Sequence, residues 1–153
     1  MFKRIMVPTD GSPASTAAID AAVGFAHGTG AEVVGLHVIP LRPLFSHVLG
    51  VLAAPGNRQL ADGYLGYLAR RAAQMGVPAS VLTRTSDAPW EEIIRAARDL
   101  LCDLVVMGSH GRSGTAALLL GSQTQAVLTH SAIPVLVIPQ AAAASTASTT
   151  STT

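Results

Sequence analysis

The segment GSHGRSGTAALLLGSQ, Gly108 to Gln123, sets glycines and hydroxyls around one arginine directly after the apolar run Asp103–Met107. Those residue types in that order suit the binding of an anion. Backbone N–H groups approach a phosphate closely only where no Cβ intervenes, and a helix that opens on Gly-Ser offers unpaired N–H groups and the positive end of its dipole. Gly108 and Gly111 would let the loop pass under a phosphate chain. Gly121 and Ser122 would open the helix behind it, with the Ser122 hydroxyl and the Gln123 N–H as further donors and Arg112 as a counter-charge. The competing reading is that the glycines merely turn the chain from a strand into a helix. A plain turn needs no such set of glycines, so binding is the better account of the spacing. Arg112 taken alone stays open between a phosphate partner and a solvated surface charge. Gly114 lies outside the pattern and reads as a loop residue. Two familiar nucleotide motifs fail here: no glycine of the segment leads into the Lys-Ser/Thr of a P-loop, and none forms the Gly-x-Gly of a dinucleotide fingerprint after the first strand.

Such a segment works only if a strand presents it, so the surrounding elements matter. Apolar runs of strand length alternate with longer helical stretches. Arg4–Pro8, Ala31–Ile39, Ala79–Thr85, Asp103–Met107 and Ile133–Pro139 read as five strands. The first helix follows Ser12 as N-cap and Pro13 at its first position, and stops at Gly28 or Gly30. The second runs from Asn57, a plausible cap, to Gly76 just past its end. The third covers Ala88–Leu101 and carries Glu91 and Glu92 in its first turn, where the dipole favours negative charge. The fourth begins near Gly121 and reaches Ser131. Because the strands are continuous apolar runs rather than alternating ones, both faces of a parallel sheet must be covered. The expectation is one doubly wound, Rossmann-like α/β domain over residues 1–140, with helices on both faces. Ala141–Thr153 is small, uncharged and of low complexity, and reads as a disordered tail. Leu41–Gly56 is a long apolar connection with two readings: an extra helix packed on the domain, or a lid or partner-binding flap beside the ligand.

Composition narrows the class. A chain of 153 residues suits one domain with a proper core, and 49% hydrophobic against 12% charged residues excludes a disordered chain. A net charge of +1 with no basic cluster gives no nucleic-acid surface. The single cysteine, Cys102, excludes an internal disulfide and favours the cytosol. The apolar stretch before Pro8 is too short for a signal-peptide core, and no run reaches transmembrane length. A cytoplasmic protein without a membrane span is expected.

In a doubly wound sheet, ligands bind beyond the carboxyl ends of the strands, where the strand order reverses. The fourth strand ends in the glycine segment, and the first ends in Pro-Thr-Asp-Gly-Ser, Pro8–Ser12. Asp10 could accept hydrogen bonds from a ribose or a base amine; taken alone, it reads as a turn residue or a cap on the first helix. His110 invites a catalytic role, but no carboxylate lies near it in sequence to orient it, so a solvent-facing loop histidine is expected. His37 lies within a strand and reads as a satisfied structural histidine. Cys102 reads as an inert small residue at a helix end.

Gly108, Gly111, then nine residues to Gly121 and Ser122 resembles the nucleotide-binding signature of the ATP-binding universal stress proteins. The likeness continues through Arg4–Ser12, Gly35–Ile39, Cys102–Gly114, Leu118–Leu128 and Ile133–Pro139. It implies the strand order 3-2-1-4-5, a dimer, and a regulatory or sensing role in surviving stress. It also implies ATP as ligand, with any magnesium carried by the phosphates. Pro8, Thr9, Val38 and Met107 would then line the adenine and Asp10 would stand near the nucleoside. Gly108, Gly111, Arg112, Gly121, Ser122 and Gln123 would hold the phosphates. Two positions depart from the family pattern. Ser86 stands where a glycine often precedes the third helix, and Gln123 stands where many relatives carry an apolar residue, its amide free to reach the phosphates or to loosen the site. With no triad, metal-ligand cluster or general base, any hydrolysis should be slow. The alternatives are a slow ATPase or phosphotransfer enzyme using His110, and a partner-binding dimer with a vestigial site. The fifth strand, short and apolar, would lie at a sheet edge and pair with a second copy; a regulatory protein partner is left open.

Overall fold

A computed structural model of the chain describes residues 1–41, 55–110 and 120–140. Gly111, Arg112 and Gly114, the tail after residue 140, and most of the Leu41–Gly56 connection lie outside the described residues.

The elements run β1 (Arg4–Pro8), α1 (Pro13–Thr29), β2 (Glu32–Pro40), α2 (Pro55–Gln74), β3 (Ala79–Ser86), α3 (Pro89–Asp99), β4 (Leu104–Gly108), α4 (Ser122–His130) and β5 (Val135–Ile138). All strand pairings are parallel, and the sheet order is β3-β2-β1-β4-β5. This is the expected doubly wound sheet. The order reverses between β1 and β4, so the loops leaving those two strands diverge to opposite faces and open a crevice between them.

The continuous apolar runs have the expected cause. On one face Ile5, Val7, Val33, Leu104 and Val106 pack under α1 and α2, against Ile19, Val23 and Leu68. On the other, Met6, Val34, Leu36, Val105 and Met107 pack under α3 and α4, against Ile93, Ala97 and Val127. Alternate residues of each central strand feed opposite cores, so no position is left for a polar side chain.

Helix ends follow local chemistry. Ser12 caps α1, its Oγ accepting from the Ser15 N–H at 3.2 Å, with Pro13 next; Gly30 closes the helix in the left-handed region at φ 73. Of the two expected stops, Gly30 is the one used. α2 begins at Pro55, ahead of the expected Asn57 cap, because proline suits a first turn that needs no N–H. α3 ends at Asp99, two residues short of expectation. There the N–H groups of Leu101 and Cys102 turn back to the carbonyls of Arg98 and Ala97, at 3.0 and 2.8 Å. The same closure ends α2, where Gly76 and Val77 bond Ala73 and Ala72. The left-handed position is a glycine in α2 (φ 66) but a leucine in α3, Leu101 at φ 55, a costly choice that periodicity does not reveal.

Among the described residues no helix is long and apolar enough to cross a membrane.

Candidate functional site

The β1 side of the crevice is a rigid turn. Thr9 continues the sheet by donating its N–H to Leu36 O at 2.8 Å. Asp10 Oδ1 accepts the Ser12 N–H at 3.0 Å, which folds the chain back into α1. Asp10 therefore does fix a turn, as its residue type alone suggested, and that turn holds it at the carboxyl end of β1. Gly11, between them, has φ 78, and a Cβ there would fall inside the ring of Tyr64 from α2. Thr9 is buried, with Oγ1 3.1 Å from Ser15 Oγ. Its side chain serves the turn, and its carbonyl accepts from His37 Nδ1 at 2.7 Å. A carbonyl only accepts, so His37 carries a proton on Nδ1 and is the satisfied structural histidine expected. The edge of its ring meets Tyr64, with centroids 5.6 Å apart.

The β4 side is pinned at both ends of its loop. Gly108 belongs to β4, one residue beyond the expected end of the strand. A Cβ at Gly108 would lie 2.6 Å from Ala14 C and 2.8 Å from Ala14 O, so glycine is demanded by the backbone of α1 before any ligand is considered. Ser109 donates its N–H to Ile138 O at 2.9 Å, and its carbonyl accepts from the Gly121 N–H at 2.8 Å. Thr124, buried, donates Oγ1–H to Gly108 O at 2.8 Å, which fixes the start of α4 against the end of β4. The two sides of the crevice meet where Ser12 Oγ reaches His110 O at 3.4 Å.

α4 opens with Gly121 as N-cap, in extended backbone at φ −60 and ψ 150, and no side chain caps it. The first intrahelical bond is Gln125 N–H to Gly121 O at 2.9 Å. The N–H groups of Ser122, Gln123 and Thr124 precede it, at the end of the helix where an anion is favoured. Gln123 spends its side chain elsewhere: Oε1 accepts the Trp90 N–H at 2.9 Å, capping α3, whose own N-cap position is Ala88. The amide that sequence left free to reach phosphates or loosen the site thus ties two helix starts together. Ser86, the other departure, accepts the Ala88 N–H on Oγ at 3.1 Å and makes its turn without glycine.

Among the apolar residues expected to line a base, Val38 and Met107 both pack with the α3/α4 core. Pro8 shares that face by strand alternation with Met6. The three therefore stand at the carboxyl ends of β2, β1 and β4, neighbours in the sheet. The expectation for His110 needs correction. It does not simply face solvent: the residue is half-buried, Nδ1 lies 2.9 Å from Ser109 Oγ, and Nε2 is buried without a hydrogen-bond partner. No carboxylate was expected near it to orient the ring; the hydroxyl of the preceding residue, Ser109, contacts it instead. Tyr64 escaped sequence reading altogether, because its place over Gly11 depends on how α2 sits on the sheet. Cys102 is buried, and burial pushes its thiol up to about 11, so it stays an unreactive thiol. Among the described residues no group of three or more His, Cys, Asp or Glu side chains is poised to hold a metal.

Comparison with known proteins bears on this geometry. The model of the universal stress protein family matches residues 1–139. A universal stress protein of Methanocaldococcus jannaschii, MJ0531, is 32% identical over 145 residues, covering 90% of this chain and 82% of its own. The solved structure of MJ0577, from the same organism, superposes with a TM-score of 0.76 at 28% identity and covers 94% of this chain and 99% of its own. A universal stress protein of Archaeoglobus fulgidus, solved in complex with dAMP, shares the fold at a TM-score of 0.68 and 17% identity, over 90% of this chain and 98% of its own.

Proposed function

This chain belongs to the universal stress protein family, and from that premise we propose that it binds an adenine nucleotide, ATP in the cell, and acts as a regulatory or sensing module. The observation that carries this reading is the uncapped first turn of α4, fixed by Thr124 and Ser109 directly beside the end of β4 where the strand order reverses. Its N–H groups at Ser122, Gln123 and Thr124 suit phosphate oxygens. Pro8, Val38 and Met107 offer an apolar wall for a base at the ends of three adjacent strands. Asp10, anchored by its turn, offers carboxylate oxygen to a ribose or to the base amine. Gly111 and Arg112 belong to the phosphate side by the spacing of the motif. The dAMP held by the Archaeoglobus fulgidus protein supports adenine as the base.

A bound ATP would bring its own phosphoanhydride and any magnesium; this chain's residues would position it and exclude water. His110 is oriented by a hydroxyl rather than a carboxylate, which gives no support to the ring as a general base. We therefore read the protein as a binder rather than an enzyme. The proposal extends to location and assembly: a cytoplasmic homodimer, paired along β5. That strand is an edge of the sheet, and Leu136 on it is 43% exposed.

Native mass spectrometry of the purified protein tests the reading. A co-purifying mass matching ATP, ADP or AMP is expected. A guanine or pyrimidine nucleotide, or no uptake of ATP at millimolar concentration, would overturn it.

A further inference from the structure

The ring of His110 is held more firmly than a loop histidine need be. The peptide before it is fixed twice, since Ser109 donates to Ile138 O and accepts from Gly121 N. Its own carbonyl receives Ser12 Oγ, and its Nδ1 lies 2.9 Å from Ser109 Oγ. Among the described residues, His110 Nε2 is the buried side-chain nitrogen or oxygen left without a hydrogen-bond partner. A buried polar atom without a partner is costly, and proteins that tolerate one commonly reserve it for a ligand, ion or water. When Ser109 Oγ–H donates to Nδ1, the neutral ring carries its proton on Nε2, which makes that atom a donor. Ser109, whose Oγ contacts the ring, also accepts on its carbonyl the N–H of Gly121, the N-cap of α4. The orphan nitrogen and the uncapped helix turn therefore share one hydrogen-bonded junction.

We propose that His110 Nε2 donates to a phosphate oxygen of the bound ligand, and that Ser109 is the positioning residue that sets its tautomer. The ligand class is a phosphate chain. The adenine part rests on the reading above; the His110 contact does not.

Isothermal calorimetry with adenosine, AMP, ATP and inorganic tripolyphosphate tests this on wild type, His110→Ala and His110→Gln. Glutamine keeps an N–H donor near the position of Nε2. His110→Ala should weaken ATP and tripolyphosphate by roughly ten- to a hundred-fold, as expected for one hydrogen bond to a charged oxygen, and leave adenosine unchanged. His110→Gln should recover most of that loss. Ser109→Ala should give a smaller loss of the same selectivity. Equal weakening of adenosine and ATP would mean a structural role and overturn the proposal, as would no change in any ligand. If wild type binds tripolyphosphate through His110 but neither adenosine nor ATP, the adenine reading falls and this contact stands. If wild type binds none of the four, both fall.

Discussion

Gly11→Ala probes the turn that holds Asp10, and its cost separates into two parts. The backbone at Gly11 is left-handed, φ 78, where an L-residue costs about 1–2 kcal/mol. The added Cβ also falls inside the Tyr64 ring, which must swing off Gly11 and away from the edge of His37. Forcing an extra methyl into a filled contact of this kind costs about 1–3 kcal/mol. Together they give a loss of about 2–5 kcal/mol, or a fall in Tm of roughly 4–20 °C for a domain of this size. Urea denaturation of the wild type, the two single variants and the Gly11→Ala/Tyr64→Ala double variant resolves the parts. With the ring removed, Gly11→Ala should cost only the backbone share, leaving a coupling of about 1–3 kcal/mol between the two positions. An identical cost in both backgrounds would show that Tyr64 does not cover Gly11. A cost below about half a kcal/mol in the wild-type background would show that the turn is not left-handed and that Asp10 is held some other way.

Other consequences are equally open to measurement. Leu101→Gly should stabilise the protein by about 1 kcal/mol, since the side chain is 80% exposed and its left-handed backbone suits glycine; a raised urea midpoint at unchanged slope is the expected result. Asp103 receives the N–H groups of Lys3 and Arg4 at 2.8 and 3.0 Å. Burial pushes its carboxyl up, but these donors outweigh it and hold it below its ordinary value. A carboxyl lowered in the folded state stabilises above its ordinary range, and that stability is lost as pH falls through the folded value. Asp103→Asn should therefore be less stable than wild type at pH 7, by about 1–2 kcal/mol, with the gap closing in acid; a gap independent of pH would refute the assignment. Val137→Lys places a charge on the β5 edge and should give monomers by light scattering at micromolar concentration. A dimer that survives the change would put the interface elsewhere.

Much of the fold was legible because both faces of the sheet are covered. Runs such as Ile5–Val7 and Val105–Met107 feed two cores in turn, and that requirement writes itself as continuous hydrophobicity. Caps were legible where side-chain chemistry fixes them, as at Ser12 and Gly30. They were missed where the chain breaks the local rule, as at Leu101, whose left-handed backbone no residue preference announces. Strand order came only through the family likeness, since hydrophobic pattern says nothing of which strands are neighbours. In the candidate site, the glycine spacing begins at the carboxyl end of β4, yet Gly108 turned out to answer to the backbone of Ala14. Gln123 and Tyr64 were opaque for a common reason: each acts on a partner far away in sequence, Trp90 in one case and Gly11 in the other. His110 was misjudged because a carboxylate was sought, while the residue just before it supplies the hydroxyl.

The most direct test of nucleotide binding at the start of α4 is a thermal shift with ATP on wild type and Gly121→Val. Gly121 has extended backbone at φ −60, so valine adds no backbone strain, and on the proposed reading any loss of binding comes from a branched side chain in the space proposed for phosphate. ATP at a hundred times its dissociation constant should stabilise wild type by about 2.7 kcal/mol, a rise on the order of 5–10 °C. The variant should keep its far-ultraviolet dichroism and show almost no rise. A variant that gains the full shift would place the phosphates away from this helix and contradict the account.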